Sequence, residues 1–147
     1  MDLVLLLALL IVFVVCFYNL NYKRKTYQDP LVRKIKYDVS QLDPKLSRIE
    51  FFSSDESYTE DKDKIFLCLK DETGHYYDYN MLIYVAIHEC SHALTDVIDV
   101  EHVTPEFRGM FEHLLTKAYK LGIYDPNKSL VTNYCGININ PGEMQRI

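Results

Sequence analysis

The sequence predicts an α+β fold, and three observations lead to that prediction. An uncharged apolar run opens the chain, from Leu3 to Tyr18. Two short segments with strand character follow, at 47–53 and 64–70. Two longer segments, at 78–96 and 105–121, carry apolar residues at helical spacing. Together they indicate a small sheet that shields one side of the first of these two helices.

The apolar run is predicted to be a transmembrane anchor over residues 1–22, with residues 3–20 in the membrane. Its sixteen residues contain no charge, Pro or Gly. They give roughly 24 Å of helix, somewhat short of the roughly 30 Å hydrocarbon core, a mismatch that bilayers tolerate. A cleaved signal peptide is disfavoured, because Met1-Asp2 replaces the basic n-region and no small-x-small cleavage site follows.

The charges that flank the run predict its orientation. Six basic residues follow it within a short distance, whereas only Asp2 precedes it; they are Lys23, Arg24, Lys25, Arg33, Lys34 and Lys36. The positive-inside rule therefore places the N-terminus outside and the remaining chain in the cytoplasm. We expect residues 23–43 to be a basic juxtamembrane linker or arm, with a short helix or extended segment from Pro30. Contact of this basic run with anionic lipid is an alternative to a purely topological role.

Net charge and cysteine content argue against a nucleic-acid-binding protein and against a small protein held together by disulfides. The formal net charge is −5 despite the basic flank, so nucleic acid is not an expected partner. The four cysteines form no CxxC pair and do not indicate a disulfide framework, which agrees with a reducing compartment. Cys90 is expected to pack in the core.

The two strand segments are separated by a polar, charged loop of about ten residues, so they predict a β-hairpin or neighbouring strands of one sheet. The turn at 71–74 ends the second strand. For the first helix, Asp78 or Asn80 is the candidate N-cap. Its apolar residues cover much of its circumference, which predicts burial.

The second helix is predicted to be amphipathic and about sixteen residues long. Thr104 is its expected N-cap, Pro105 suits its first turn, and Gly122 suits its end. The tail from Tyr124 is expected to be mostly turn, with a short strand at most.

The chemistry centres on the stretch HECSH, in the first of these helices. His88 and His92 are four residues apart, so both imidazoles leave the same helix face and can bind one metal ion. Glu89 follows the first ligand and is the candidate general base, which takes a proton from a metal-activated water. Zn²⁺ is the ion expected for such nitrogen ligands. A chance match has an expectation on the order of one per cent.

A catalytic zinc site needs a third protein ligand. His102 is the first choice, because it follows the loop after the first helix and can return toward it. His113 on the second helix is an alternative, and so is a glutamate ligand, Glu106 or Glu112, from the same helix.

These residues resemble a known family. The stretch HECSH, then His102, then Pro105-Glu106-Phe107 is similar to the compact zincins of the WLM and SprT-like groups. The loop of nine residues, 93–101, is longer than in WLM proteins and lacks their glycine. The resemblance implies a zincin-like metallopeptidase domain over 44–147, with zinc bound by His88, His92 and His102.

The end of the chain carries a second resemblance. A small anchored chain with the segment Tyr134-Cys135-Gly136 is similar to WLM-like proteins encoded by large DNA viruses. This resemblance implies a location in an internal membrane of a virion and contact with capsid or assembly proteins.

The predicted function is hydrolysis of peptide bonds in a protein or peptide substrate by zinc-activated water. The alternative is a catalytically silent zincin-fold scaffold that anchors a partner to a membrane, and a third interpretation has no metal. Tyr119, Tyr124 and Tyr134 are candidates for polarising the scissile carbonyl, although packing is the default role of each. Asp96 or Asp99 could hydrogen-bond the outer nitrogen of a ligand histidine.

Overall fold

A computed structural model describes residues 3–26, 29–98, 102 and 104–139. Within 3–26, the side chains of residues 3–21 are described. The helices are α1 (Leu3–Thr26), α2 (Pro30–Ser40), α3 (Tyr79–Leu94) and α4 (Pro105–Lys120), with a 3₁₀ turn at Pro44–Arg48. The strands are β1 (Glu50–Ser54), β2 (Tyr58–Glu60), β3 (Lys64–Cys68), β4 (Asn133–Tyr134) and β5 (Ile137–Asn138). The fold class is α+β, as predicted.

Helix α1 carries the predicted apolar run. Its stretch Leu3–Asn21 is long and apolar enough to cross a membrane, and the rest of the protein buries none of it. Large apolar side chains such as Leu3, Ile11 and Phe13 are more than half exposed. Such a surface is stable in a hydrocarbon environment, where a helix satisfies its own backbone groups.

Helix α2 lies in the segment predicted to be a linker. Its N-cap is Asp29, whose side chain accepts a hydrogen bond from the Leu31 backbone N–H at 2.9 Å. Its apolar residues recur at three and four positions, so they form one face that packs into the core. That face consists of Val32, Ile35 and Val39, all buried. Residues 30–40 therefore form a helix with one face packed into the core and the other exposed, and not a free arm.

The main sheet has three strands in the order β1-β3-β2. Strands β1 and β3 are the two that the sequence predicted, and they pair in parallel as neighbours, so the hairpin alternative for these two was wrong. The sequence did not predict β2, which pairs antiparallel with β3 and lies at the sheet edge. Central strand β3 is buried along Ile65–Cys68, as expected for a strand covered on both faces.

Helix α3 is the buried centre of the domain. Asp78 caps it by accepting a hydrogen bond from the Asn80 N–H at 2.9 Å, as one of the two predicted caps. The helix packs against the sheet on one side and α4 on the other. Thr104 caps α4 through the Phe107 N–H at 3.3 Å, and Gly122 adopts φ 70° just after its end. Both predicted helices are thus confirmed.

The C-terminal strands β4 and β5 form a small hairpin that is covalently linked to the main sheet. Its turn contains Cys135 and Gly136, with φ of 49° and 78°. Cys135 forms a disulfide with Cys68, the last residue of β3, across a Cα–Cα distance of 6.4 Å. The prediction of cysteines without a disulfide was therefore wrong for this pair. The two residues are 67 positions apart in sequence, so no local spacing indicated them. Cys16 and Cys90 are free thiols, and Cys90 is buried as predicted.

Candidate metal centre

Three imidazoles meet at the C-terminal half of α3. His88 and His92 project from one face of the helix, with ring centroids 5.0 Å apart. His102 approaches them from the segment before α4, with its centroid 4.6 Å from that of His88 and 4.8 Å from that of His92. Each residue offers one ligand nitrogen, and these three nitrogens lie within 4.8 Å of one another. The structure thus brings together the three residues that the sequence proposed as ligands.

The nitrogen separations fit a single small cation. The Nε2 atoms of His92 and His102 are 2.9 Å apart. In a tetrahedral zinc site with bonds of about 2.0–2.1 Å, ligand nitrogens lie roughly 3.3 Å apart. The rings of His92 and His102 would therefore move apart by a few tenths of an ångström around an ion.

His88 provides a second test of the fit. Its Nδ1 is buried and has no hydrogen-bond partner among the described residues. Burial, together with the neighbouring His102 and His92, lowers the pKa of His88 to about 3. The imidazole is therefore neutral at physiological pH, which is the form that binds metals.

Two phenylalanines of α4 enclose the imidazoles. The Phe107 ring centroid lies 5.1 Å from His88, 4.4 Å from His92 and 5.1 Å from His102. Phe111 lies 5.5 Å from His88 and stacks on Phe107 at 6.0 Å. This apolar wall restricts the ring orientations and lowers the local dielectric constant, which strengthens electrostatic interactions within the site.

Glu89 is buried beside the three imidazoles, with 7% of its surface exposed. Its Oε2 accepts a hydrogen bond from the Thr59 hydroxyl at 2.8 Å, and that hydroxyl also lies 2.9 Å from the Glu89 backbone oxygen. Burial raises the pKa of the Glu89 carboxyl to about 7, and the Thr59 hydrogen bond acts in the opposite direction. Thr59 lies on edge strand β2. It was not among the predicted site residues, because its sequence neighbours are polar and charged and predict a loop.

The alternative third ligands lie elsewhere. His113 and Glu106 are exposed on α4, and Glu112 is half-buried there. Within the part of the chain that the structure describes, the group able to hold a metal consists of His88, His92 and His102. Asp96 and Asp99 were the candidates to hydrogen-bond the outer nitrogen of a ligand histidine. Asp96 is exposed, and Asp99 lies outside the described residues.

The three candidate tyrosines occupy different surroundings. Tyr134 is buried, donates a hydrogen bond to the Cys68 backbone oxygen and lies 3.0 Å from the Ser57 hydroxyl. Tyr124 is buried with its ring 6.0 Å from Tyr84, whereas Tyr119 is 56% exposed. Tyr124 packs against Tyr84, as in the default role given to it. Burial and the nearby Tyr77 and Glu89 raise the pKa of Tyr134, although its hydrogen bond with Ser57 acts in the opposite direction. Of the three phenols, that of Tyr134 therefore interacts with the candidate base.

Comparison with known proteins shows that the chain is similar to two viral proteins. The chain is 42% identical over 93 residues to Uncharacterized protein 136R of Invertebrate iridescent virus 6, an alignment that covers 61% of this chain and 51% of that relative. It is 38% identical over 92 residues to Uncharacterized protein 042R of Invertebrate iridescent virus 3, covering 62% of this chain and 56% of the relative. The chain thus spans about half the length of these relatives. No protein-family profile and no solved structure matches it. Its similarity to viral proteins agrees with that part of the expectation.

Proposed function

We propose that the protein is a membrane-anchored, zinc-dependent metallopeptidase. The observation that carries this proposal is the convergence of three imidazoles beside a buried carboxylate, all within reach of the sheet edge. A site that only stabilises the fold needs the ligands but has no use for Glu89. A buried carboxylate is costly unless it has a partner, and here it has Thr59.

His88, His92 and His102 would hold the zinc ion. Three neutral nitrogen ligands leave a fourth position open, which is the pattern of catalytic zinc sites. When bound, zinc supplies Lewis-acid polarisation of a carbonyl and makes a water acidic near neutral pH.

Glu89 is the candidate proton carrier. It directly follows the ligand His88, so its carboxylate lies on the helix beside the imidazoles. It would accept a proton from the attacking water and pass that proton to the amine of the departing peptide. The Thr59 hydroxyl holds one carboxylate oxygen in place and leaves the other available.

The substrate would bind along β2. This strand lies at the edge of the main sheet and carries Thr59, whose side chain contacts Glu89. An extended peptide that adds to such an edge gains backbone hydrogen bonds, and its carbonyl groups then pass close to the carboxylate. We infer that the substrate class is an extended protein segment.

The viral relatives and the flanking charges support narrower proposals about location and partners. The apolar helix α1 would anchor the protein in a membrane, and in a virus this could be an internal membrane of the virion. Capsid or assembly proteins are then the nearest candidates for substrate or partner. The basic residues after α1 support placement of the domain on the cytoplasmic side.

The test uses the full chain, purified in detergent and compared with Glu89→Gln and His113→Ala. We expect about one zinc per chain in all three proteins. We expect peptide hydrolysis in the wild type and in His113→Ala, and a loss of about 100-fold or more in Glu89→Gln. Zinc binding without hydrolysis of any peptide in a diverse library would favour the catalytically silent scaffold. Absence of zinc from every version would contradict both.

A further inference from the structure

The turn between β2 and β3 contains two residues in an unfavourable backbone conformation. Asp61 and Lys62 have φ of 50° and 59°, in the left-handed region that favours glycine. A lysine costs free energy there and requires compensating contacts. The side chain of Lys62 makes such contacts.

The Lys62 amine reaches the segment that follows α3. It donates hydrogen bonds to the backbone oxygen of Thr95 and, at 3.3 Å, to that of Val97. Thr95 is the C-cap of α3. Carbonyl groups at this end of a helix lack intrahelical partners and carry partial negative charge, so a cation is favoured there. Lys62 therefore fixes the start of the segment that leads to His102.

A second cation holds His102 itself. The Arg108 Nε, on the first turns of α4, donates a hydrogen bond to the His102 backbone oxygen at 3.2 Å. His102 has φ of 57°, again in the left-handed region. Two basic side chains thus hold described backbone oxygens before and at His102: Lys62 of the β2–β3 hairpin holds those of Thr95 and Val97, and Arg108 of α4 holds that of His102.

The same hairpin also holds the candidate base. Thr59 on β2 contacts Glu89, and Lys62 in the following turn contacts Thr95 and Val97. We propose that Lys62 is a positioning residue of the metal centre, and that the β2–β3 hairpin sets the positions of both Glu89 and the backbone at Thr95 and Val97, which precedes His102 in the chain. The metal-affinity consequence rests on the proposed function, whereas the ordering of the backbone by Lys62 does not. A peptide that pairs with β2 would then affect both Glu89 and the backbone before His102, because the β2–β3 hairpin contacts both.

The test compares Lys62→Asn with Asp61→Asn in the full chain. Asparagine tolerates the left-handed region, so both substitutions preserve the turn, but only Lys62→Asn removes the amine. The Thr95 amide donates to the Ser91 backbone oxygen at 3.2 Å and is therefore protected from exchange. Without metal, we expect this amide in Lys62→Asn to exchange with solvent about threefold faster or more, the low end of a lost net hydrogen bond. Loss of a side chain that hydrogen-bonds a metal ligand directly lowers metal affinity roughly 10- to 100-fold. Lys62 contacts only the backbone before His102, so we expect Lys62→Asn to lower zinc affinity by a smaller factor, about fivefold.

Asp61→Asn is expected to match the wild type within about twofold in both measurements, because its side chain makes no described contact with that segment. Equal exchange in the two variants would overturn the proposal, whether or not the protein binds zinc. A wild type that binds no zinc contradicts the proposed function alone, because exchange still reports on Lys62. Should Lys62→Asn fail to fold, Lys62→Met is measured in its place, and Lys62→Arg is expected to restore slow exchange.

Discussion

The hydroxyl of Thr59 lies 2.8 Å from Oε2 of Glu89, and this contact joins the edge of the sheet to the centre of helix α3. Because Thr59 belongs to β2, any ligand that pairs with this strand lies beside the carboxylate. The relationship explains why a three-residue strand matters to the site.

Thr59→Val should disturb this relationship without changing the volume of the side chain. The carboxylate then loses its partner in a buried position, so we expect the free energy of unfolding to fall by about 1–3 kcal/mol. Zinc content should not change, because no ligand is altered, and peptide hydrolysis should fall by about tenfold. Denaturant unfolding and steady-state kinetics provide the measurements. Thr116→Val, at an exposed position on α4, is the control, and equal behaviour of the two variants would contradict the role of Thr59.

His102→Ala should weaken zinc binding far more than His113→Ala does. His102 lies with His88 and His92, whereas His113 is exposed on α4. A zinc site with two ligands left loses most of its affinity, and we expect a decrease of about 100-fold or more. Competition with a chromophoric chelator measures it. Undiminished affinity in His102→Ala would transfer the third-ligand role to another residue.

Ile35→Ala should destabilise the domain, although Ile35 lies in the segment that sequence patterns assign to a linker. Its side chain is fully buried in the core that α2 forms with the sheet and α3. Truncation of such a residue costs about 2–5 kcal/mol, which is a large share of a typical total of about 5–15 kcal/mol. Tyr37→Ala is the control on the same helix, because Tyr37 is 70% exposed. Equal thermal midpoints for the two variants would show that α2 is not part of the folded domain.

The Cys68–Cys135 disulfide and the basic residues after α1 favour opposite sides of the membrane. Disulfides persist in oxidising compartments, whereas the positive-inside rule favours the cytoplasm. We expect Cys68 and Cys135 in intact membranes to resist a permeant alkylating reagent until a reductant is added. Mass spectrometry of the tryptic peptides checks this prediction. Immediate alkylation of both would show that the pair is reduced where the protein resides.

Removal of the disulfide should also destabilise the C-terminal hairpin. The bond closes a loop with a sequence separation of 67, and disulfides of this kind typically contribute about 2–4 kcal/mol. The double variant Cys68→Ser/Cys135→Ser should therefore melt at a lower temperature than the oxidised wild type. It should melt close to the reduced wild type, and this comparison separates the bond from the effect of the serines. Equal midpoints for the variant and the oxidised protein would contradict the prediction.

Much of the fold could be predicted from patterns among residues that are close together in the sequence. Asp78 and Thr104 are caps that act within one helical turn, so a single sequence displays them. The spacing of His88 and His92 is also local, because a helix converts a separation of four residues into a shared face. His102 was predicted from its position after the loop, and the structure places it with the other two.

Non-local relationships were not visible in the sequence. Strand β2 is three residues long and partly exposed, so its existence depends on pairing with β3 and not on its own pattern. The disulfide joins residues far apart in the chain, and the burial of α2 depends on the surface against which it packs. Thr59 and Lys62 belong to the same category, since each contacts a residue thirty or more positions away in the sequence.

The short connection between α1 and α2 limits where the site can operate. Only residues 27–29 separate Thr26 from Pro30, and four Cα–Cα steps of 3.80 Å span at most about 15 Å. If α1 spans a membrane, the link keeps the start of the folded domain within about 15 Å of the end of α1. A target held in the same membrane would meet the domain at an effective concentration in the millimolar range typical of short tethers, whereas a freely diffusing protein would rarely do so. The short link would then favour substrates held in the same membrane, before binding along β2 selects among them.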